Sequence, residues 1–249
     1  MTERPANAAG YYDLVNAWGP SDDFYLDLIR SADGAVLDVG CGTGMLLHVA
    51  RTSGRRGRLV GLDPDPAMLA VARRTADVDW VEGHLGTTSF DAEFDLVVMT
   101  GHVFQIFLAD DEVREQLTAI RRALRPGGRF AFETRNPGAR AWERWSPEHG
   151  VDVVGEHGER VRVEHHVESV ENGLVTFTET HSSPDWPEPI VDWATLRFTT
   201  AAEVDALLRE TGFDVVERYG FWDRAPLTDT SREIITIARP GRPPAAHRR

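Results

Sequence analysis

Residues Val36–Gly44 read VLDVGCGTG, an apolar run that ends in three glycines within five positions. The apolar run is typical of a buried strand, and Met45–Arg51 after it has the pattern of a helix. Between a parallel strand and a helix, a glycine loop lets a ligand approach the backbone at the carboxyl edge of a sheet. The stretch therefore predicts a ligand site at Gly40, Gly42 and Gly44.

Strand-like and helix-like segments alternate outward from this loop, over about residues 35–135 and again after residue 200. This alternation predicts a doubly wound α/β fold with helices on both faces of a mostly parallel sheet. The predicted strands are Ala35–Gly40, Arg58–Asp63, Val78–Gly83, Phe94–Thr100, Arg129–Thr134, Phe213–Tyr219 and Glu233–Ala238. The predicted helices are Ser21–Arg30, Met45–Arg51, Pro66–Ala76, Asp110–Leu124 and Ala201–Glu210, with Arg125–Gly128 expected to stop the fourth.

Residues 151–198 have an apolar period of two instead of the helical period. Glu159–Ser169, Leu174–Thr180 and Trp193–Phe198 are therefore predicted strands, and Glu171–Gly173 is a hairpin turn signal. We expect a small antiparallel β insertion. The resulting organisation is an N-terminal helical segment over the ligand site (1–34), a core (35–138 and 200–239), an insertion or substrate lid (139–199) and a disordered tail (240–249). Residues 1–8 are also expected to be disordered.

The composition excludes several classes of function. The 249 residues include 27 Lys and Arg against 40 Asp and Glu, a formal net charge of −13, which argues against a nucleic-acid partner. Neither a membrane-spanning run nor a signal peptide is evident, and the single cysteine excludes an internal disulfide. We expect a cytoplasmic protein with no membrane partner, a monomer or homodimer, that acts on a small molecule.

The residues around the loop indicate the chemistry of the ligand. The spacing Gly-x-Gly-x-Gly differs from the Gly-x-Gly-x-x-Gly of dinucleotide-binding loops. Asp38 before the loop would repel a pyrophosphate but would suit an ammonium or sulfonium. Asp63 ends the next strand about 20 residues on, where an acid accepts hydrogen bonds from ribose hydroxyls. The alternative role for Asp63, which precedes Pro64, is a helix N-cap.

Four segments, VLDVGCGTG, LVGLDPDPAMLAVAR, FDLVVMT and LRPGGRFAFET, resemble in order and spacing a class I S-adenosylmethionine-dependent methyltransferase of the small-molecule, actinobacterial-like type. The resemblance implies a Rossmann-like, seven-stranded, mostly parallel sheet with a reversed last strand. It also implies transfer of a methyl group from S-adenosylmethionine to N or O of a small molecule, which leaves S-adenosylhomocysteine.

The resemblance also implies roles for residues of the cofactor site. Asp38 and Gly40 would lie near the methionine end, Asp63 would hold the ribose and Thr100 would lie under the sulfonium. Where such enzymes usually have an acid for the adenine amine, this chain has His84 and Leu85. The expected cofactor-binding residues are Asp38, Gly40, Cys41, Gly42, Gly44, Asp63, Pro64, His84, Leu85 and Thr100.

His102 is the candidate catalytic base, because it follows the fourth strand and imidazole titrates near neutrality. Its alternative is a packing or loop-capping role. The candidate substrate-binding residues are Tyr12, Trp18, Arg135 and Asn136. The two aromatic residues could instead anchor a helix, and Arg135, suited to a carboxylate or phosphate, could instead form a surface ion pair.

Three further expectations concern Cys41, the pair of Trp142 and Trp145, and the binding of a metal. Cys41 between loop glycines is expected to be a small buried side chain and not a nucleophile, and Trp142 and Trp145 are expected on one helix face. No metal-ligand spacing is present, so no metal is expected. The alternative functions are an NAD(P)-dependent oxidoreductase, or a non-methylating binding module or cyclase on the same fold.

Overall fold

The strands of the main sheet position a ligand site at their carboxyl ends. The structure is a computed structural model that describes residues 8–74, 77–155, 158 and 160–241. Its strands in chain order are β1 (Val36–Val39), β2 (Leu59–Asp63), β3 (Asp79–Glu82), β4 (Phe94–Met99), β5 (Leu124–Arg135), β6 (Val151–Val154), β7 (Arg160–Glu171), β8 (Leu174–Ser182), β9 (Ile190–Arg197), β10 (Phe213–Tyr219) and β11 (Glu233–Pro240).

Seven of these strands form the main sheet in the order β10-β11-β5-β4-β1-β2-β3. The pairs among β1 to β5 are parallel, and β11 runs antiparallel to both β5 and β10. This confirms the predicted seven-stranded, mostly parallel sheet with a reversed last strand. The order changes direction at β1 and β4, where doubly wound folds place their ligands.

Helices cover both faces of the sheet, as predicted. They are α1 (Ala8–Val15), α2 (Pro20–Ser31), α3 (Met45–Thr52), α4 (Pro66–Ala72), α5 (Asp110–Ala123) and α6 (Ala201–Glu210). The apolar residues of α5 and α6 belong to one buried cluster and those of α2 and α3 to another. No helix in the described ranges is long and apolar enough to cross a membrane.

Strand β4 shows why the central strands have continuous apolar runs instead of alternating ones. Val97 and Met99 belong to the cluster on one face, and Leu96 and Val98 to the cluster on the other. A strand buried on both faces gains stability from every side chain, about 1.5–3 kcal/mol for each fully buried large apolar residue.

The insertion is an antiparallel sheet of four strands in the order β6-β7-β8-β9. Three strands were predicted, and the short edge strand β6 is the addition. The predicted alternation is confirmed, since Val161 and Val163 are buried while His166 and Glu168 on the other face are exposed. A register irregularity interrupts the β7–β8 pairing between Val167 and Ser169.

Several predicted boundaries are wrong. Arg125–Gly128 belongs to β5, where it continues the strand instead of only ending a helix. Trp142 and Trp145 do not share a helix face, because only a short 3₁₀ turn, Ala141–Arg144, forms there. Both rings instead contact Phe198.

The predicted terminal disorder is wrong at its inner edges. Helix α1 begins at Ala8, and Pro240 is the last residue of β11. Gly241 is also described, and residues 1–7 and 242–249 of the two predicted segments lie outside the described residues.

Candidate active site

The glycine loop follows β1 and leads into α3. Gly40, Gly42 and Gly44 have φ values of 76°, 55° and 75°, a left-handed backbone that favours glycine at all three positions. A Cβ at Gly40 would lie 2.7 Å from Val103 Cγ2, and one at Gly44 would lie 2.3 Å from the ring of Trp80. A Cβ at Gly42 would meet only the Tyr12 ring, at 4.0 Å. Gly40 and Gly44 thus make room for the protein's own side chains, and Gly42 borders open space.

A cavity of about 320 Å³ lies beside this loop, between α1, α2 and the ends of β1, β4 and β5. Its titratable lining residues include four carboxylates and two basic groups, Asp13, Asp22, Asp38, Glu133, His102 and Arg135. Of the predicted cofactor residues, the cavity brings together Asp38, Gly40, Cys41, Gly42 and Thr100. The excess of carboxylates makes the site suited to a positively charged ligand.

Asp63 lies behind the loop and is not part of the cavity lining. Its Oδ2 accepts a hydrogen bond from the Gly42 amide at 2.8 Å, and its Oδ1 accepts one from the Asp65 amide at 2.9 Å. It therefore fixes the loop relative to the start of α4. The N-cap of α4 is Asp65, which accepts from the Ala67 amide at 2.8 Å, so the capping role considered for Asp63 is wrong.

The remaining predicted cofactor residues lie outside the cavity. Pro64 and His84 are exposed, and the Nδ1 of His84 accepts a hydrogen bond from the Gly86 amide at 3.1 Å. Leu85 is buried in the apolar cluster that contains α5. Gly44 contacts Trp80, as described above.

Asp38 is a buried acid of the cavity. It is 1% exposed, and its Oδ1 has no hydrogen-bond partner among the described residues. Burial, followed by the neighbouring charges of Asp63 and Glu133, raises the pKa of Asp38 to about 8. Such a carboxyl gains a partner only when a donor or a positive charge enters the site.

The thiol of Cys41 is also perturbed. Burial and the nearby Asp38 carboxyl raise its pKa well above the ordinary value. The thiolate is therefore suppressed, which argues against a nucleophilic role.

His102 follows β4 and is held by two carboxylates. Its backbone is left-handed, with φ 62°, and its amide donates to Glu133 Oε1 at 2.7 Å. Its Nε2 lies 3.0 Å from Oε2 of Glu233, the first residue of β11. Glu133 also accepts a hydrogen bond from the Tyr25 hydroxyl, and burial raises the pKa of Glu133.

Sequence reasoning missed Glu233 because the acid lies 131 residues from His102 along the chain. Only the antiparallel return of β11 beside β5 brings them together. Asp13 and Asp22, on α1 and α2, were missed for a similar reason, since no motif surrounds them.

The candidate substrate residues divide into two groups. Tyr12 and Arg135 line the cavity. Trp18 does not, and its Nε1 donates to Asp23 Oδ1 at 2.9 Å. Asn136 holds a loop, since its Nδ2 donates to the Ser231 carbonyl at 2.8 Å and its Oδ1 accepts from the Gly138 amide at 3.0 Å.

The chain is similar to known methyltransferases. Residues 36–128 match a family model described as a methyltransferase domain. The chain is 27% identical to the cypemycin N-terminal methyltransferase of a Streptomyces species, over 91% of this chain and 93% of that protein.

Two solved structures share the fold. One is an S-adenosylmethionine-dependent methyltransferase from Clostridium acetobutylicum, with a TM-score of 0.75, 14% identity and coverage of 94% of this chain and 97% of that one. The other is an amino pentose methyltransferase from Micromonospora echinaspora with S-adenosylmethionine bound, with a TM-score of 0.68, 24% identity and coverage of 96% and 98%.

The fold and its glycine loop define a Rossmann-like α/β enzyme. These comparisons support a class I S-adenosylmethionine-dependent methyltransferase with S-adenosylmethionine as its cofactor. The comparisons favour a methyltransferase over the oxidoreductase that the sequence left open.

Proposed function

We propose that the enzyme methylates the nitrogen of a small amine, with His102 as the base that accepts the proton of the amine. The observation that carries the proposal is the contact between His102 Nε2 and Glu233 Oε2 at 3.0 Å in the wall of the cavity. A histidine bound to a carboxylate through one ring nitrogen presents the other as a proton acceptor.

The residues of the cavity fit the proposed cofactor. The buried Oδ1 of Asp38 has no partner in the described structure, and the ammonium of the methionine part would supply one. Gly42 leaves open space at the loop, and Cys41, Gly40 and Thr100 line the same wall. When bound, S-adenosylmethionine supplies an electrophilic methyl group on a positively charged sulfur.

The adenosine part would extend beyond the cavity along the ends of β2 and β3. There Asp63, at the end of β2, would accept bonds from the ribose hydroxyls, as an acid at this position of a doubly wound sheet does. Pro64, His84 and Leu85 would lie along the adenine. Gly44 would act indirectly, through the position of Trp80.

The chain's own groups perform the proton transfer. Most amines are protonated near neutrality, so the nitrogen must lose a proton before its lone pair attacks the methyl carbon. Glu233 holds Nε2–H of His102, which leaves Nδ1 to accept that proton, and Nδ1 has no hydrogen-bond partner among the described residues. General base catalysis of this kind contributes about 10²–10⁴-fold.

Two observations favour an amine over a hydroxyl acceptor. The carboxylates of Asp13, Asp22 and Glu133 line the cavity and attract cations. The Streptomyces relative is named an N-terminal methyltransferase, and the Micromonospora enzyme acts on an amino pentose.

The experiment combines a binding assay with an acceptor screen. Calorimetric titration with S-adenosylhomocysteine tests the cofactor site. Small amines and matched alcohols are then incubated with S-adenosylmethionine, and mass spectrometry detects methylated products. We expect amines to be methylated. A preference for the alcohols, or no cofactor binding at millimolar concentration, would contradict the proposal.

Variants then test the role of His102. We expect His102→Ala to lower kcat by about 100-fold, and Glu233→Gln to lower it by about tenfold, because both leave the amine without an oriented base. The affinity for S-adenosylhomocysteine should stay within about twofold in both. His166→Ala, an exposed histidine of β7, is the control and should keep full activity. An unchanged kcat in His102→Ala would return His102 to a packing role.

A further inference from the structure

We infer that the methyl acceptor carries, besides its amine, an anionic group that binds the guanidinium of Arg135. This inference rests on the proposed N-methyltransferase function and names the class of substrate: a small amine with a carboxylate or a phosphate group.

The first observation is that Arg135 is held in place without any ligand. It ends β5, where its amide and its Nη1 both donate to Gln105 Oε1, at 3.3 and 3.0 Å. Gln105 is fully buried and its Nε2 donates to the Arg197 carbonyl at 2.8 Å. A buried amide thus fixes the arginine from one side.

An aromatic ring fixes the arginine further. The guanidinium carbon lies 5.4 Å from the ring centroid of Trp145. Trp145 in turn packs against Phe177 of the insertion at 4.7 Å and against Phe198 at 5.9 Å between ring centroids. Such pre-organisation lowers the entropic cost of binding a ligand.

The second observation is that this fixed cation has no anionic partner. Within residues 8–74, 77–155, 158 and 160–241, no carboxylate lies within 4.0 Å of the Arg135 guanidinium. Other arginines with similarly covered side chains do have one: Arg197 lies 2.5 Å from Asp110, and Arg218 lies 2.5 Å from Asp205. Burial lowers the pKa of Arg135, which is the cost of a covered charge without a partner.

The third observation is the strand register. Glu233 of β11 is paired directly with Arg135 of β5, so the two residues share one face of the sheet. Glu233 nevertheless contacts His102 Nε2 and leaves Arg135 unneutralised.

An acceptor whose anion binds Arg135 therefore has its amine beside His102 only if a short linker joins the two groups. The Nε and Nη2 atoms of Arg135 make no hydrogen bond to the described residues, and two such donors match the two oxygens of a carboxylate or a phosphate.

The test measures binding of matched amines to the protein saturated with S-adenosylhomocysteine. One pair is β-alanine and β-alaninamide, and the other is glucosamine 6-phosphate and glucosamine. We expect the anionic member of at least one pair to bind at least tenfold more tightly, and the pair that discriminates identifies the anion as carboxylate or phosphate. Arg135→Gln should abolish the difference, and Arg135→Lys should keep part of it.

Arg140→Gln is the matched control, because Arg140 is exposed and its one ion pair within the described part of the chain is with the neighbouring Glu143. It should keep the full preference. Equal binding of both members of each pair, absence of binding by either anionic amine, or a preference that survives Arg135→Gln would overturn the inference. If S-adenosylhomocysteine binds normally in the same samples, such a result refutes only the anionic class of acceptor. If S-adenosylhomocysteine does not bind, the proposed function itself is refuted.

Discussion

At the scale of single residues, Asp38 is a buried acid of the site, and its contribution to the stability of the fold depends on pH. In the unfolded chain its carboxyl has an ordinary pKa of 3.8, and burial raises the pKa to about 8 in the folded protein. The protonated form is the one that the buried environment favours. The acid therefore stabilises the fold fully below pH 3.8, and this contribution is lost as the pH rises through about 8.

The Asp38→Asn variant should be more stable than the wild type at pH 7, because the amide is neutral at every pH. A gain of about 1 kcal/mol corresponds to a rise in Tm of about 2–4 °C for a chain of this size, and thermal unfolding without ligand measures it. The difference in Tm between Asp38→Asn and the wild type should disappear as the pH is lowered toward 4. Binding of S-adenosylhomocysteine should weaken, since the variant cannot offer a charge to the ammonium.

The control for this prediction is Asp27→Asn, at an exposed position of α2, which should leave Tm unchanged. A wild type as stable as Asp38→Asn at pH 7, or a gap in Tm that does not vary with pH, would contradict the account of Asp38.

The residues of the site differ in how far the sequence predicts them. Asp38 and His102 follow strands that the apolar runs identify, so the edge of the sheet on which they lie could be predicted. Glu233 could not, because its role depends on the pairing of β11 with β5, which no local pattern encodes. The same holds for the contact between Arg135 and Gln105, since Gln105 is a neutral residue of a short turn.

At the scale of elements, α1 forms one wall of the cavity. Tyr12, Asp13 and Asn16 line it, and Thr43 of the glycine loop donates to Asp13 Oδ1 at 2.5 Å. A helix of eight residues is marginal alone, so its stability depends on such tertiary contacts. We expect this hydrogen bond to hold α1 against the glycine loop.

The Asp13→Ala variant should loosen α1. Loss of the hydrogen bond costs about 1 kcal/mol, so hydrogen–deuterium exchange across Ala8–Val15 should accelerate about fivefold. S-adenosylhomocysteine should protect the segment in the wild type and protect it less in the variant. Asp27→Ala, at an exposed position of α2, is the control and should exchange as the wild type does. Equal exchange in all three proteins would show that Asp13 does not fasten α1.

Among the helices, α6 could be predicted to the residue. Helix α6 has the capping box of Thr200 and Glu203, and its predicted bounds agree with the structure. Strand β6, with four residues at a sheet edge, is the strand that the sequence pattern did not predict. Trp142 and Trp145 have helical spacing, yet their contacts with Phe198 and the insertion favour a 3₁₀ turn.

At the scale of the whole molecule, the two sheets contribute different parts of the proposed site. The seven-stranded sheet supplies the glycine loop and the His102–Glu233 pair, and the four-stranded sheet contacts Arg135 through Trp145. The proposed acceptor site therefore depends on both sheets, whereas the proposed cofactor site depends on the first sheet and its helices. Substitutions in the insertion should accordingly weaken binding of the acceptor more than binding of the cofactor.

The net charge of −13 and the carboxylates of the cavity act together as one electrostatic field. S-adenosylmethionine and S-adenosylhomocysteine share their contacts but differ by one positive charge, so the ratio of their affinities isolates this field. Salt screens it, since the Debye length falls from about 30 Å at 0.01 M to about 10 Å at 0.1 M. Raising the salt from 0.01 to 0.5 M should therefore lower the affinity for S-adenosylmethionine by a factor at least about threefold greater than the factor for S-adenosylhomocysteine. Paired calorimetric titrations measure both affinities. A ratio that does not vary with salt would show that the carboxylates of Asp13, Asp22 and Glu133 do not select for the charge of the cofactor.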